Sequence, residues 1–233
     1  MKCFLFRPVS VTVVYVHVMN SDLYDHYARR FVLTCAKFPA RYPHRTVVVC
    51  NCGTANDETR AIFKPLENVT FLNHDNSGYD LGGYQAASRQ CSDDLIVFFG
   101  ASTYINGDGW LARMVEAFLA HGPAQYGAMG NKGDLGLGIW PHLRTTAIWM
   151  PPSLFNSYPG RVTTPGHRHP FEHGRDCFTS WVNKQGLKSW VITWDYDLPY
   201  RNWDDSPKGY QRGDQSDLIA GDHLTEPPYY PKS

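Results

Sequence analysis

NHDNSGYDLGGYQAASRQCSDDLIVFFGASTYIN, residues 73 to 106, decides how the rest of the chain is read. It leaves one apolar segment through a turn of Asn, Asp and Gly, forms a short helix, and enters a second apolar run, Leu95–Phe99, that stops at Gly100-Ala101-Ser102. A short continuous apolar run bounded by turn residues is what a strand buried on both faces requires. In an open α/β sheet, small molecules bind in the crevice beyond the carboxyl ends of the strands. The polar and small residues on either side of this helix and after Phe99 are therefore the first functional candidates.

Working upstream, Val11–Val18 is β-branched and aromatic and reads as a buried strand. Asn20-Ser21-Asp22 offers an N-cap, and the segment from Asp22 to Lys37 sets Leu23, Tyr27, Phe31 and Cys35 at fourfold spacing, an amphipathic helix that Pro39 and Pro43 bring to a stop. Strands are expected at Arg45–Cys52 and Val69–Asn73, with a short helix from Asn56 to Phe63 and another over Tyr79–Cys91. This alternation implies right-handed crossovers and a largely parallel sheet. Downstream come a helix at Asp108–His121, a strand near Gln125–Gly130, a glycine-rich loop over Lys132–Ile139 and a strand at Leu143–Met150. The Pro- and Gly-rich stretch Tyr158–Pro170 reads as a long functional loop. A helix over Asp176–Gln185, a strand at Ser189–Trp194, and an aromatic, acidic tail from Pro199 to Ser233 with one helical piece at Gln215–Ala220 complete the chain.

With 233 residues, 42% of them hydrophobic, the chain can bury a full core and is read as one domain. Equal numbers of basic and acidic residues, 22 each, argue against a protein whose main task is coating duplex DNA. The six cysteines are scattered without CxxC pairs, which fits reduced thiols in a cytoplasm better than zinc or a disulfide framework. Arg7, Pro8 and His17 interrupt the apolar N-terminus, so neither a signal peptide nor a membrane span is expected.

The order of elements, the pattern Asn76-x-Gly78-x-Asp80-x-Gly82-x-Tyr84, and the apolar strand running into TYINGDGWL together resemble a nucleotide-sugar glycosyltransferase of the GT-A fold. So do LRTTAIWMPPSLFNSYP, FEHGRDCFTSWVNKQG and SWVITWD, which are similar to the acceptor half of bacterial polysaccharide and phage-type enzymes. The resemblance covers roughly residues 10–195. It implies an α/β fold with a Rossmann-like, mostly parallel central sheet, divided into a nucleotide-sugar-binding half (10–106), an acceptor half (107–198) and a tail closing over the donor (199–233). Its donor cradle would use His17, Asn51, Asp80, Gly100 and Ser102, and the donor would be a UDP-, dTDP- or GDP-linked sugar. Asn51 could pair with a pyrimidine edge and Asp80 with a base or ribose hydroxyl, although Asn and Asp in such turns also satisfy their own backbone.

The chain departs from the family where most members carry Asp-x-Asp. Here stand Gly100-Ala101-Ser102, which cannot neutralise a hard cation, so no divalent ion is expected there and no metal ligand is assigned. The leaving diphosphate would have to be met by cationic groups, for which the resemblance offers Arg212 and His223 in the tail. An inverting transfer needs a carboxylate to take the acceptor's proton, and two fit: Glu172, by resemblance of the FEHG segment, and Asp176, by its spacing to Gly186. Arg144, His173 and Trp194 are expected on the acceptor side. His167, His169 and His173 lack a carboxylate or Cys partner at ligand spacing and are not read as a metal site. The acceptor is left open among a glycan, a protein and a modified DNA base, and a catalytically inactive nucleotide- or glycan-binding module is the other reading of the missing Asp-x-Asp.

Overall fold

A computed structural model describes residues 7–203, 209 and 215–225. Its elements follow the expected alternation. The first half comprises β1 (Val11–Val18), α1 (Asp22–Lys37), β2 (Arg45–Asn51), α2 (Asp57–Phe63), β3 (Val69–His74), α3 (Tyr79–Ser88), β4 (Leu95–Phe99) and β5 (Tyr104–Ile105). The second comprises α4 (Trp110–His121), β6 (Gln125–Gly127), β7 (Gly130–Asn131), β8 (His142–Leu143), β9 (Ala147–Met150), α5 (Pro152–Ser157), α6 (Arg168–Glu172), α7 (Phe178–Lys184), β10 (Ser189–Ile192), β11 (Asp197–Pro199) and β12 (Ala220–Gly221).

The main sheet has eight strands in the order β11-β10-β6-β9-β4-β1-β2-β3. Pairings β4-β1-β2-β3 and β10-β6 are parallel. By contrast β9 runs antiparallel between β4 and β6, which brings the residues just before β9 to the carboxyl end of β4. Two hydrophobic layers cover the faces. Val11, Val13 and Tyr15 of β1 join one with α1, α2 and α4, while Val14 and Val16 join the other with α3, α5 and α7. Strand alternation thus sends successive residues of one apolar run into different cores, which is why the run needs no polar face.

Several expectations need correction. The α1 core contact is made by Ala28, Phe31 and Val32, and Leu23 is exposed. A strict four-residue stripe drifts by about 40° per step on a helix of 3.6 residues per turn, so Leu23 has rotated off the buried face. The single strand expected near Gln125–Gly130 is two short ones, β6 and β7, in different sheets. Arg168–Glu172 is helical, where a loop was expected as far as Pro170. Helix α7 starts at Phe178, and Asp176 lies outside it. In the tail, the helical piece expected at Gln215–Ala220 is a turn followed by β12, which pairs antiparallel with β5. Ile219 and Ala220 are buried there, and the ladder gives the short β5 edge its partner.

Candidate functional site

Polar groups converge at the end of β4. Gly100 and Ala101 are buried. Tyr15, inside the core on β1, donates its hydroxyl to Ala101 O at 2.6 Å and fixes the turn from beneath. Asp80, in the first turn of α3, accepts from Ala101 N at 3.3 Å. A Cβ on Gly100 would stand 3.0 Å from Asp80 Oδ2, so glycine at this position admits the carboxylate. Burial raises the Asp80 carboxyl to about 6, against the pull of the Ala101 N–H and the Arg168 guanidinium. The site needs the left-handed turn before α3: Gly78 has φ +76°, and a Cβ there would stand 2.3 Å from Val162 O.

Ser102 continues this edge. Its Oγ meets His223 Nδ1 at 2.7 Å, and its carbonyl accepts from Arg30 Nη2 at 2.7 Å. Arg30 lies 4.4 Å above the Tyr104 ring, and the His223 ring stacks on Tyr27. The fold thus brings a cationic α1 residue and a tail histidine to the same serine. Arg212 lies outside the described residues.

The opposite wall is built on Thr145 and Thr146, immediately before β9. Thr146 O accepts from Gly100 N, and Thr145 O from the Tyr84 hydroxyl, each at 2.9 Å. The side chains face two acids. Thr145 Oγ1 donates to Glu172 Oε1 at 2.7 Å, and Thr146 Oγ1 donates to Asp222 Oδ2 at 2.8 Å. Glu172 is 6% exposed, with its Oε2 3.2 Å from His173 Nε2 and 3.4 Å from Arg168 Nε. Burial raises its proton affinity, but the His173 ring, Arg168 and the Thr145 hydroxyl outweigh this and hold it ionised. Asp80 and Glu172 feel each other's charge, with Arg168 acting on both.

Other expected site residues scatter. Asp176 is exposed and pairs with Lys184, the partner nearest to it. Arg144 is buried with Nη2 on Asp222 at 2.7 Å, so its charge faces the tail instead of an acceptor. Trp194 is half-buried and covers Gly107, where a Cβ would meet the indole at 2.5 Å. His17 and Asn51 end adjacent strands but face opposite layers. His17 is buried with Nε2 3.2 Å from Asp25 and its ring against Phe63, and burial lowers its proton affinity so that it is neutral at pH 7. Asn51 lies on the α3 side with Oδ1 2.8 Å from His74 Nδ1. Its Nδ2 is buried without a hydrogen-bond partner, as is Nδ1 of His17. Buried polar atoms of this kind call for an explanation, and a bound ligand is one. Sequence reasoning missed Arg30, Thr145, Thr146 and Asp222. Their partners lie dozens of residues away, so no local pattern marks them.

No family model and no curated protein matches the chain. Solved structures do. The mannosyltransferase PcManGT from Pyrobaculum calidifontis, in complex with GDP-Man and Mn2+, is 13% identical over 79% of this chain and 55% of its own, with a TM-score of 0.55. S. aureus TarS is 14% identical over 65% of this chain and 30% of its own at a TM-score of 0.45. HddC from Yersinia pseudotuberculosis is 12% identical over 64% and 80% at 0.46. The chain spans about half the length of PcManGT and less than a third of TarS. At such identities the likeness is one of fold, and the fold is the GT-A arrangement of a mostly parallel sheet between helical layers. Among the described residues no helix is long and apolar enough to cross a membrane.

Proposed function

We propose that the chain is a glycosyltransferase that moves a sugar from a nucleotide-sugar donor to a hydroxyl acceptor with inversion. One observation carries the reading. Two carboxylates flank the end of β4, Asp80 on Ala101 N–H and Glu172 on the Thr145 hydroxyl beside the Thr146–Gly100 hydrogen bond, with burial raising Asp80 and the His173 and Arg168 side holding Glu172 ionised. Paired titratable groups whose environments push their proton affinities apart are candidates for acid–base and charge-stabilising roles. The donor takes the side of Asn51, Asp80, Gly100 and Ser102. Because Gly100-Ala101-Ser102 offers no carboxylate pair, the departing diphosphate is balanced by Arg30 and His223 at Ser102. The acceptor takes the Glu172 and His173 side, where its hydroxyl proton is removed. His173 is the partly exposed member of that pair and Glu172 the buried one that holds it. Asp176, turned outward to Lys184, has no part in the chemistry. A glycan is the favoured acceptor, and the absence of a net positive charge gives a DNA base little support.

Purified chain incubated with UDP-, GDP- and dTDP-sugars should release nucleotide slowly by donor hydrolysis. Nucleotide diphosphate affinity should be the same in chelator as in Mn2+. A requirement of nucleotide binding for Mn2+ would defeat the assignment of Arg30 and His223. The missing Asp-x-Asp also supports an inactive binding module. In that case Glu172→Gln would leave every measurable property of nucleotide binding intact, and no donor would be turned over at any concentration.

A further inference from the structure

The wall that carries Glu172 holds a donor set beyond what sugar transfer requires. His142, buried in β8, places Nδ1 2.7 Å from Trp140 O. The ring proton therefore sits on Nδ1, and Nε2 presents its lone pair. Glu172 Oε1 is tied down by the Thr145 hydroxyl, while Oε2 is buried and faces His173 Nε2 at 3.2 Å and Arg168 Nε at 3.4 Å. The His142 and His173 ring centroids are 4.6 Å apart, and Trp140 N–H donates to His173 O at 2.8 Å, locking the two segments together. One ligating atom from each of His142, Glu172 and His173 lies within 4.8 Å of the other two. A carboxylate at ligand spacing, which the histidines of this region lack in sequence alone, is thus supplied by the fold.

We propose that His142 Nε2, Glu172 Oε2 and a ring nitrogen of His173 bind a divalent transition-metal ion of the zinc or cobalt class. Two imidazoles and one carboxylate suit such an ion and not magnesium or calcium, which take oxygen ligands. The outer hydrogen bonds to Trp140 O and from Thr145 are the kind that fix a ligand's tautomer and orientation before the metal arrives. Bonds of about 2.0–2.1 Å at tetrahedral angles set neighbouring ligands about 3.3 Å apart. From separations of up to 4.8 Å the donors have roughly 1.5 Å to close, within the range of ring rotations. His173 is the ligand most open to solvent, so the remaining position faces outward on its side. The site's existence stands apart from the transferase reading. Only its use rests on that reading: a hydroxyl of the acceptor would occupy the open position, where the ion would make it more acidic, and its proton would pass to solvent in place of Glu172 and His173, which are then ligands.

Chain stripped with chelator and titrated with Co2+ should develop the visible absorption of low-coordinate cobalt, saturating at one ion per chain. Glu172→Gln and His173→Ala should each weaken Co2+ binding at least tenfold. Arg168→Ala should tighten it severalfold by removing a cation 3.4 Å from the ligand oxygen. No cobalt absorption at saturating Co2+, or absorption that both ligand variants retain at unchanged affinity, would overturn the site. Nucleotide release is scored separately with the donor panel. Cobalt binding without release leaves the metal site standing and removes the transferase reading. Release without cobalt binding does the reverse and leaves Glu172 and His173 as neighbours without a metal.

Discussion

Asp222→Ala tests how the site is held closed. In the wild type Asp222 is 2% exposed, and its Oδ2 takes Arg144 Nη2 at 2.7 Å and the Thr146 hydroxyl at 2.8 Å, while Oδ1 takes Leu224 N at 2.9 Å. The substitution leaves the Arg144 guanidinium, itself only 8% exposed, without a counter-charge in the interior. Removing one member of a buried pair costs about 3–5 kcal/mol, mostly because the survivor stays buried and unpaired. At about 2–4 °C per kcal/mol for a chain of this size, the melting temperature should fall by roughly 10 °C. Urea unfolding at pH 7 measures the first figure and calorimetry the second. Arg144→Met combined with Asp222→Leu should recover most of the loss, because no charge is left behind. Nucleotide affinity should still fall in the double variant, since His223 loses the neighbour that sets it beside Ser102. A single variant within about 1 kcal/mol of wild type, or a double variant as unstable as the single one, would show that this pair does not anchor the tail.

Three further outcomes follow from the geometry. Asp80 binds its proton more readily folded than unfolded, so the folded chain holds an extra proton between about pH 4 and pH 6 and loses stability as pH rises through that window, by up to roughly 3 kcal/mol. The stability difference between wild type and Asp80→Asn should therefore change sign or shrink below pH 5. Asp80→Asn should be the more stable protein at pH 7.5 and the weaker nucleotide binder, and a difference independent of pH would contradict the raised carboxyl. Gly78→Ala, with φ +76° and a Cβ 2.3 Å from Val162 O, should cost at least about 2 kcal/mol in urea, and less than half of that would mean the turn relaxes. Tyr15→Phe removes a 2.6 Å hydrogen bond to Ala101 O and should cost about 1–2 kcal/mol while weakening nucleotide binding, and unchanged affinity would uncouple the turn from the donor side.

The strands were legible because full burial on both faces leaves an unmistakable apolar run, as in Leu95–Phe99. Asp80 was named through the resemblance of the Asn76-x-Gly78-x-Asp80-x-Gly82-x-Tyr84 segment, and the structure places it beside Gly100 at the end of β4. What stayed hidden depends on contacts across long stretches of chain. The tail pairs with β5 more than a hundred residues upstream, and residues at Gln215–Ala220 that could form a helix gain more from that ladder. Asp176 looked like a helix-opening acid by counting back from Gly186. Cys177 became the N-cap instead and left the carboxylate in solvent. Arg144 was expected on the acceptor side because Asp222, which neutralises it, lies far along the sequence.

The pairing of β12 with β5 has a temporal consequence. All eight strands of the main sheet precede Asp217 in the chain, but one hydrophobic layer is completed by Ile219 and Ala220, so on the ribosome the sheet can assemble while that layer stays open until the segment with Asp222 and His223 emerges. A chain halted or clipped ahead of Asp217 should be less stable by at least the cost of an unneutralised Arg144, with an uncovered β5 edge, and it should gain its ligand affinity only when the missing peptide is supplied.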